Sequence, residues 1–431
     1  MNIEQIAGRM RQECLAADCD HLIYSDFQKA LGRLKGTPLY KMFLRMPKGR
    51  LMHGHIEASF DVHYMLSMAL SCPDTYVFTE PERDGFRYLQ LAHKVWFEGG
   101  VIPAGWENLR EAVASRPDLK DEIFKLCTSD MENIDDNIWP KFEAIFDRFK
   151  AINNYKPFFV KMYTQVLTRM AEEGLLGVDF RYISQTIFDE NGNSLEPDGY
   201  VDLVKEINDA VQEKYPWFHV NLIYSYYKGV PAETVPPRLE YARHLVQKYP
   251  DVVIGFDMVG DEDCGKDLMY YANVLRDASV PVIMHAGESL DPDNRNVEYA
   301  LDLGIRRLGH GMNLYRYPDV EARAKKESVM LEVCPLSNQL LGYVPDLRQH
   351  PAAGYIKRGL NVTISSDDCA IFDTAYITDD LLLAYLCWDI SIADIRRCLV
   401  NSLQGDAALL KLFDGMWEEF EKSYLTEKDF R

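Results

Sequence analysis

Short apolar runs rich in β-branched and aromatic residues recur along the chain, and amphipathic stretches lie between them. The runs end in polar or glycine-containing clusters, which is typical of strands in alternating β/α units. Eight runs occur, at residues 49–55, 175–184, 219–227, 251–260, 280–288, 306–311, 328–338 and 360–368. Eight strands with intervening helices predict a (β/α)8 barrel of the TIM type.

Between the runs, residues 199–215 and 237–249 carry apolar side chains at helical spacing. The gap from Glu57 to the second run is too long for a plain loop, so it must contain helices of its own. Residues 136–153 are one candidate helix, and the first forty residues and the C-terminal tail also have helical patterns. We therefore predict an N-terminal helical segment at 1–45 and a catalytic barrel at 46–431, with a helical insertion at about 58–174.

The composition, 47% hydrophobic and 26% charged residues, is that of a globular protein with a large core. No run of about eighteen apolar residues suggests a membrane span, and the first residues are too polar for a signal peptide. Nine cysteines occur without a CxxC pair or a regular framework, which favours reduced thiols. We expect a cytoplasmic protein.

The formal net charge of −20 disfavours nucleic acid or an anionic membrane as the main partner, because most of the surface would repel phosphates. A local basic pocket is compatible with this balance. A small molecule is the better default ligand.

In a (β/α)8 barrel the active site lies at the carboxyl ends of the strands. Residues i and i+2 of a strand point to the same side, so His53 and His55 can share one ion. With His285 and Asp367 they form a set of three imidazoles and one carboxylate, which suits zinc with room for a water molecule. The polar residues at these ends are His53, His55, His285, Glu288, His310, Asp367 and Asp368.

Each of these fragments is weak alone, because neighbouring histidines are more often surface or core residues and "SDD" could cap a helix. Their placement at four predicted strand ends favours a metal site. A site for two metals would need a bridging ligand near the fourth strand. The stretch "GFDMVGDE" has no lysine there, and Asp257 would need another orientation to bridge, so one metal is the simpler interpretation.

Six ordered motifs share the spacing of a known family, in a stretch from about Met46 to Phe372: "MPKGRLMHGH", "VGDE", "HAGE", "LGHG", "CPLSN" and "SSDD". With these motifs the chain resembles the adenosine deaminase family, and more closely its growth-factor-related branch. The secretion signal and the disulfide-bearing insertion of that branch are not found in the sequence. Receptor binding is therefore not carried over.

The resemblance implies that His53, His55, His285 and Asp367 hold one zinc ion per chain, which activates water for attack on C6 of a purine. It implies deamination of adenosine or deoxyadenosine to inosine or deoxyinosine with release of ammonia. Glu288 would protonate ring N1, which requires a carboxyl that is protonated near neutral pH.

The resemblance also implies further contacts in the site. His310 would orient the attacking water, Asp368 would hydrogen-bond N7 or help to position the water, and the backbone N–H of Gly260 would meet N3. Glu57 stands where many relatives have an aspartate that reaches the ribose 5′-hydroxyl. Trp139 resembles a tryptophan of the nucleoside pocket, although a core aromatic on an amphipathic helix explains it equally well.

Other functions remain open at this level. A deaminase of a purine nucleotide such as AMP or dAMP, or of an N6-modified purine, would need a basic residue at the pocket rim. Arg50, Lys228 and Arg348 are candidates for that role. A non-catalytic nucleoside-binding protein and an amide or ester hydrolase are further alternatives. The resembling branch is often dimeric, which leaves a homodimer open. The biological role, whether salvage, detoxification or defence, is not indicated.

Overall fold

The computed structural model describes residues 2–80, 89–134, 138–263 and 265–426. Residues 136 and 137 of the predicted helix at 136–153 lie outside these ranges. The described strands are β1 (Arg50–His55), β2 (Thr75–Thr79), β3 (Leu89–His93), β4 (Trp106–Asn108), β5 (Gly177–Tyr182), β6 (His219–Tyr227), β7 (Val253–Val259), β8 (Met284–Ala286), β9 (Arg307–His310), β10 (Met330–Val333) and β11 (Asn361–Ile364).

In the described residues, four α-helices precede β1 and three follow β11. None of those in the described ranges is long and apolar enough to cross a membrane. The helices are α1 (Ile3–Ala17), α2 (Leu22–Ser25), α3 (Phe27–Leu34), α4 (Pro38–Arg45), α5 (Val62–Ser71), α6 (Leu109–Ser115), α7 (Leu119–Leu126), α8 (Ile138–Asn153), α9 (Lys156–Glu172), α10 (Gly199–Gln212), α11 (Pro236–Lys248), α12 (Ala272–Arg276), α13 (Asn296–Asp302), α14 (Pro318–Lys326), α15 (Pro335–Leu340), α16 (Ala352–Arg358), α17 (Tyr376–Cys387), α18 (Ile392–Asn401) and α19 (Ala407–Thr426).

Eight parallel strands form the barrel as two four-stranded sheets, ordered β1-β5-β6-β7 and β8-β9-β10-β11. The sheets are joined on one side by a parallel bridge between Phe256 and Val282. On the other side a parallel bridge joins Gly54 to Asp367. The predicted (β/α)8 barrel is confirmed, and each of the eight predicted runs contains one of its strands.

The barrel strands are buried on both faces, as expected for a parallel sheet that is covered by helices. Several of them nevertheless carry charged residues inside the barrel. Asp179 and Arg181 are two positions apart on β5, so their side chains point to the same side of the strand. Both residues are completely buried. Asp257 on β7 and Glu332 on β10 are buried to the same extent. Burying charges is costly unless they are paired, so these side chains must find partners across the barrel.

The segment between β1 and β5 contains α5 to α9, and it also contains a three-stranded antiparallel sheet in the order β3-β2-β4. The insertion contains the predicted helices, and it also contains a sheet that the apolar pattern did not indicate. Helix α8 buries Phe142, Ile145 and Phe149, which follow the three- and four-residue steps that predicted it. The insertion thus brings an amphipathic helix to the barrel, with an exposed face on its other side.

Candidate metal centre

The end of β1 and the segment after β11 bring two histidines against one aspartate. The backbone N–H of Asp367 donates to the carbonyl of His53 at 3.1 Å, which closes the barrel at this point. The Nε2 atoms of His53 and His55 lie 3.4 and 3.2 Å from Asp367 Oδ1. Asp367 adopts a left-handed φ of 59°, which is unusual for a residue with a side chain. Such backbone strain is common where function dictates the position of a side chain.

His285 on β8 completes the group, because one ligand atom from each of His53, His55, His285 and Asp367 lies within 4.8 Å of the others. The chemistry of these donors fits a metal ion. Among the described residues, the buried atoms His53 Nε2 and Asp367 Oδ1 have no hydrogen-bond partner of normal geometry. Buried polar atoms are rarely left in that state, and a shared cation would satisfy both of them.

A glycine on the neighbouring strand makes room for this cluster. A Cβ atom on Gly309 of β9 would lie 2.6 Å from Cε1 of the His53 ring. Any larger residue would therefore push His53 away from the shared point. His310, the next residue, has a left-handed φ of 64°, and this turns the chain at the end of β9.

Two carboxylates behind the histidines fix their orientation. Glu332 Oε2 lies 3.0 Å from Nδ1 of His53, and Asp257 Oδ2 lies 2.7 Å from Nδ1 of His285. With the ring hydrogens on Nδ1, both Nε2 atoms are free to bind a metal, as is usual for metal-ligating histidines. The Arg181 guanidinium donates to both carboxylates, at 3.0 Å to Asp257 and 2.6 Å to Glu332. Asp257 therefore supports a ligand and is not oriented to bridge two metals.

We expect the Asp257→Asn substitution to weaken metal binding by about ten- to a hundredfold, the usual effect of altering such a supporting group. The amide cannot supply the charge that polarises His285 and that balances Arg181. Titration with a chromophoric chelator measures the change. The control is Asp251→Asn, a substitution at an exposed residue before β7. Equal metal affinity in the Asp257 variant and in the unmodified chain would contradict this role.

A second combination of residues, His53, His310, Cys334 and Asp367, also brings its ligand atoms within 4.8 Å. Burial and nearby carboxylates raise the pKa of the Cys334 thiol well above its usual range. The thiol also donates to the backbone carbonyl of Glu332 at 3.6 Å, so it already has a hydrogen-bond partner. His55 and His285 are neutral imidazoles that line the cavity. We therefore favour His53, His55, His285 and Asp367 as the metal-binding set.

The three predicted catalytic residues lie beside the ligands. Glu288 Oε1 is 3.3 Å from Nδ1 of His310, whose Nε2 is 3.7 Å from Asp367 Oδ2. Burial raises the pKa of the Glu288 carboxyl well above its usual range, and the charges of Asp367 and Glu262 raise it further. Burial and the same Asp367 charge raise the pKa of Asp368 as well. Both acids are therefore able to donate hydrogen bonds at neutral pH.

A cavity of about 310 Å³ opens above the cluster. Its floor includes His55, His285 and Asp367, and its aromatic wall comes from α8. The predicted substrate-binding residues Gly260, Glu57 and Trp139 all line it. The remaining lining includes Glu288, His310, Asp368, Phe142, Phe146 and Phe149.

Each predicted substrate-binding residue has a defined setting. The indole N–H of Trp139 donates to the hydroxyl of Tyr343 at 2.9 Å, so this tryptophan belongs both to an amphipathic helix and to the cavity wall. Glu57 is buried and accepts a hydrogen bond from the backbone N–H of Ile183 at 3.0 Å. Burial raises the pKa of Glu57 to about 7. Gly260 follows β7 with a φ of 100°, a conformation that favours glycine.

The basic residues suggested as phosphate ligands do not line the cavity, and that interpretation was wrong. Arg50 donates to Asp179 at 2.6 Å near the opposite end of the barrel. Lys228 is buried in an ion pair with Glu262. Arg348 pairs with Asp346 at the surface.

Sequence reasoning also missed Glu332, Arg181 and the supporting role of Asp257. The signal for them was present, since a charged residue within an apolar strand such as "MLEV" indicates a buried partner.

A family model described as adenosine deaminase matches residues 93–411, which is most of the chain. The chain belongs to the adenosine deaminase family. The match contains His285, Glu288 and Asp367, while His53 and His55 lie before it. Membership makes the chain a hydrolytic enzyme.

Individual relatives agree with this membership. Adenosine deaminase 2-A of Danio rerio is 27% identical over 427 residues, covering 91% of this chain and 84% of the relative. Relatives of this name match the growth-factor-related branch that the motifs indicated. Two solved structures share the fold of this adenosine deaminase family member. The adenine deaminase from Arthrobacter aurescens has a TM-score of 0.62 at 21% identity, covering 86% of this chain and 99% of its own. The N6-mAMP deaminase of Arabidopsis has a TM-score of 0.63 at 14% identity, covering 88% and 99%.

Proposed function

We propose that this enzyme carries out zinc-dependent hydrolytic deamination of adenosine or deoxyadenosine, giving inosine or deoxyinosine and ammonia. The observation that carries the proposal is the placement of Glu288 in the same cavity as His55, His285 and Asp367. Deamination of a purine needs a nucleophile at C6 and a proton at N1, because an aromatic amine leaves poorly. The cavity offers groups for both tasks side by side.

In this proposal His53, His55, His285 and Asp367 hold the zinc ion. Three imidazoles and a carboxylate are a donor set that suits zinc and leaves room for a water molecule. The bound ion would supply Lewis-acid activation of the attacking water. Glu332 and Asp257 keep the two inner histidines in the tautomer that presents Nε2.

Glu288 is the proposed general acid. Its raised pKa keeps the carboxyl protonated near neutral pH, so it can donate to N1 as water adds to C6. His310 is buried, and burial lowers the pKa of its ring well below the usual range. The neutral imidazole can therefore hydrogen-bond the attacking water without adding charge. The water oxygen adds to C6 while N1 takes the proton of Glu288. One water proton restores the Glu288 acid, and the other moves to the amino group, which leaves as ammonia as the C6–O bond becomes a carbonyl.

The remaining contacts select the purine. The protonated carboxyl of Asp368 would donate to N7, which is an acceptor, and the backbone N–H of Gly260 would donate to N3. The aromatic rings of Phe142 and Phe146 on α8 offer apolar surface to the base and exclude water from the reacting carbon. Glu57 would bind a ribose hydroxyl at the same end of β1.

The charges at the cavity mouth favour a nucleoside over a nucleotide. Glu143, Asp147 and Lys150 lie on one exposed face of α8 and line the cavity. Of the described residues that line it, Lys150 is the one lysine or arginine. The two carboxylates on the same face offset its charge. A 5′-phosphate would therefore find a net acidic mouth without a guanidinium to bind it.

We expect the double substitution Glu143→Gln with Asp147→Asn to raise kcat/KM for AMP relative to adenosine. A charge about 4 Å from the phosphate contributes about 1 kcal/mol in water, so removing two should raise the ratio by up to about thirtyfold. Lys150→Gln is the matched control, because it removes a positive charge from the same face of α8. It should lower the ratio of kcat/KM for AMP to that for adenosine. If both variants leave the AMP-to-adenosine ratio unchanged, these side chains do not select against phosphate.

The function itself is tested by metal analysis and an ultraviolet assay on a panel of substrates. The panel contains adenosine, deoxyadenosine, their monophosphates and N6-methyl-AMP. We expect one zinc ion per chain and fastest turnover of a nucleoside. Preference for a monophosphate would establish the nucleotide alternative, and no deamination of any member would reject the proposal.

A further inference from the structure

One amide side chain connects a histidine outside the cavity to Glu288 and His310. His350 is 2% exposed and belongs to none of the motifs. Its Nδ1 accepts the backbone N–H of Ala352 at 3.1 Å, and its Nε2 lies 3.2 Å from Oδ1 of Asn338. Burial lowers the pKa of His350 to about 3, so the ring is neutral. Because Nδ1 is an acceptor, the ring hydrogen is on Nε2, and it donates to Asn338.

Asn338, the last residue of "CPLSN", contacts His350 on one side and the active site on the other, so its amide orientation follows from the hydrogen bond to His350. Since its Oδ1 accepts from His350, its Nδ2 carries the two hydrogens that face the site. Nδ2 lies 3.0 Å from Oε1 of Glu288 and 3.3 Å from Nδ1 of His310. Both of these atoms are therefore acceptors.

Two consequences follow for the reacting groups. When Glu288 is protonated, its hydrogen is on Oε2, because Oε1 accepts from Asn338. When His310 is neutral, its hydrogen is on Nε2, the nitrogen that points towards Asp367. Each group then presents a hydrogen on the side away from Asn338. An inverted amide would place an acceptor against Glu288 and His310 and reverse both arrangements.

We propose that His350 and Asn338 are positioning residues, which set the hydrogen-bond direction so that Glu288 and His310 present their hydrogens to substrate and water. The proposal rests on the proposed deaminase function. Position alone would also fit a structural role, because the His350 ring stacks on Trp388 with 5.0 Å between ring centroids. A structural residue contributes mainly to stability, whereas a positioning residue contributes to kcat.

The test separates these roles with two substitutions. His350→Phe keeps an aromatic ring against Trp388 but removes the donor, and His350→Gln restores an N–H near the position of Nε2. We expect His350→Phe to lower kcat for adenosine about ten- to a hundredfold, the scale of a small misplacement of a catalytic group. KM should stay within about twofold of the KM of the unmodified enzyme, because a small misplacement of Glu288 or His310 leaves substrate binding in the ground state intact. Metal content should be unchanged. His350→Gln should recover most of the rate.

A double-mutant cycle with Asn338→Ala provides the second measurement. If His350 acts through Asn338, His350→Phe should have little further effect on kcat once Asn338 is alanine. An unchanged kcat in His350→Phe would overturn the proposal. So would equal losses in the phenylalanine and glutamine variants, or additive losses in the cycle.

Neutron crystal structures of the zinc-loaded unmodified chain and of His350→Gln, which locate the amide hydrogens, test the same arrangement without turnover. We expect the amide nitrogen of Asn338 to face Glu288 in both. A glutamine variant in which the amide has turned, or an unmodified chain in which Oδ1 faces Glu288, would overturn the proposal. An unmodified chain that has the expected amide orientation but does not deaminate adenosine would instead contradict the proposed function.

Discussion

Replacing Glu288 by glutamine should lower kcat for adenosine by roughly a thousandfold, within the range that a positioned general acid contributes. Glutamine has nearly the same shape, and its amide can still contact ring N1. It cannot transfer a proton at the moment when water adds to C6. The metal content should equal that of the unmodified chain, because Glu288 is outside the group of four candidate ligands.

Steady-state kinetics and metal analysis of the purified variant measure this effect. The matched control is Glu206→Gln on an exposed position of α10, which should leave kcat unchanged. Binding of inosine should also persist in the Glu288 variant. A rate within a fewfold of the unmodified enzyme would show that the proton comes from another group.

The second large effect concerns stability. Arg181 is completely buried and donates to Asp257 and Glu332, so its removal leaves two buried carboxylates with less compensation. Burial by itself would raise the pKa of Glu332, yet Arg181 and Arg307 hold it well below its usual range. Arg181→Met keeps most of the side-chain volume. It should lower the free energy of unfolding by about 3 to 5 kcal/mol, the usual cost of breaking a buried ion pair.

Urea denaturation of the metal-free chains, followed by circular dichroism, measures the loss. Arg348→Met is the control, because it removes an exposed ion pair with Asp346, and pairs of that kind contribute little. A similar denaturation midpoint for the Arg181 variant and the unmodified chain would mean that the carboxylates are compensated in another way. We also expect weaker metal binding in this variant, since Asp257 and Glu332 orient His285 and His53.

The grouping of His53, His55, His285 and Asp367 could be predicted from the sequence because it follows from local rules. The alternation of a strand puts His53 and His55 on one side, and barrel geometry places strand ends together. Their partners could not be predicted in this way. His53 and Glu332 are separated by 279 positions, and Arg181 and Glu332 by 151. Closure of the barrel brings these pairs together, and no local pattern of apolar residues specifies which charges will meet.

The insertion between β1 and β5 shows a different limit. Helix α8 was predicted because its apolar spacing extends over several turns. Strand β4, with the sequence "WEN", is three residues long and mostly polar, so it carries no detectable alternation. It forms because β2 offers a partner edge, in an antiparallel pairing from Tyr76 to Phe78. The formation of β4 therefore depends on its tertiary contacts and not on the β-propensity of its own sequence.

The wall and the floor of the cavity come from separate stretches of the chain. The ion-binding end belongs to the barrel strands, whereas the aromatic and charged wall belongs to α8 within the insertion. Mutations confined to that helix can therefore alter selectivity and leave the reaction centre intact. Engineering of selectivity at the 5′ position should accordingly begin at Glu143, Asp147 and Lys150 of α8, because the proposed hydrogen bonds to the reacting ring and the ribose lie outside this helix.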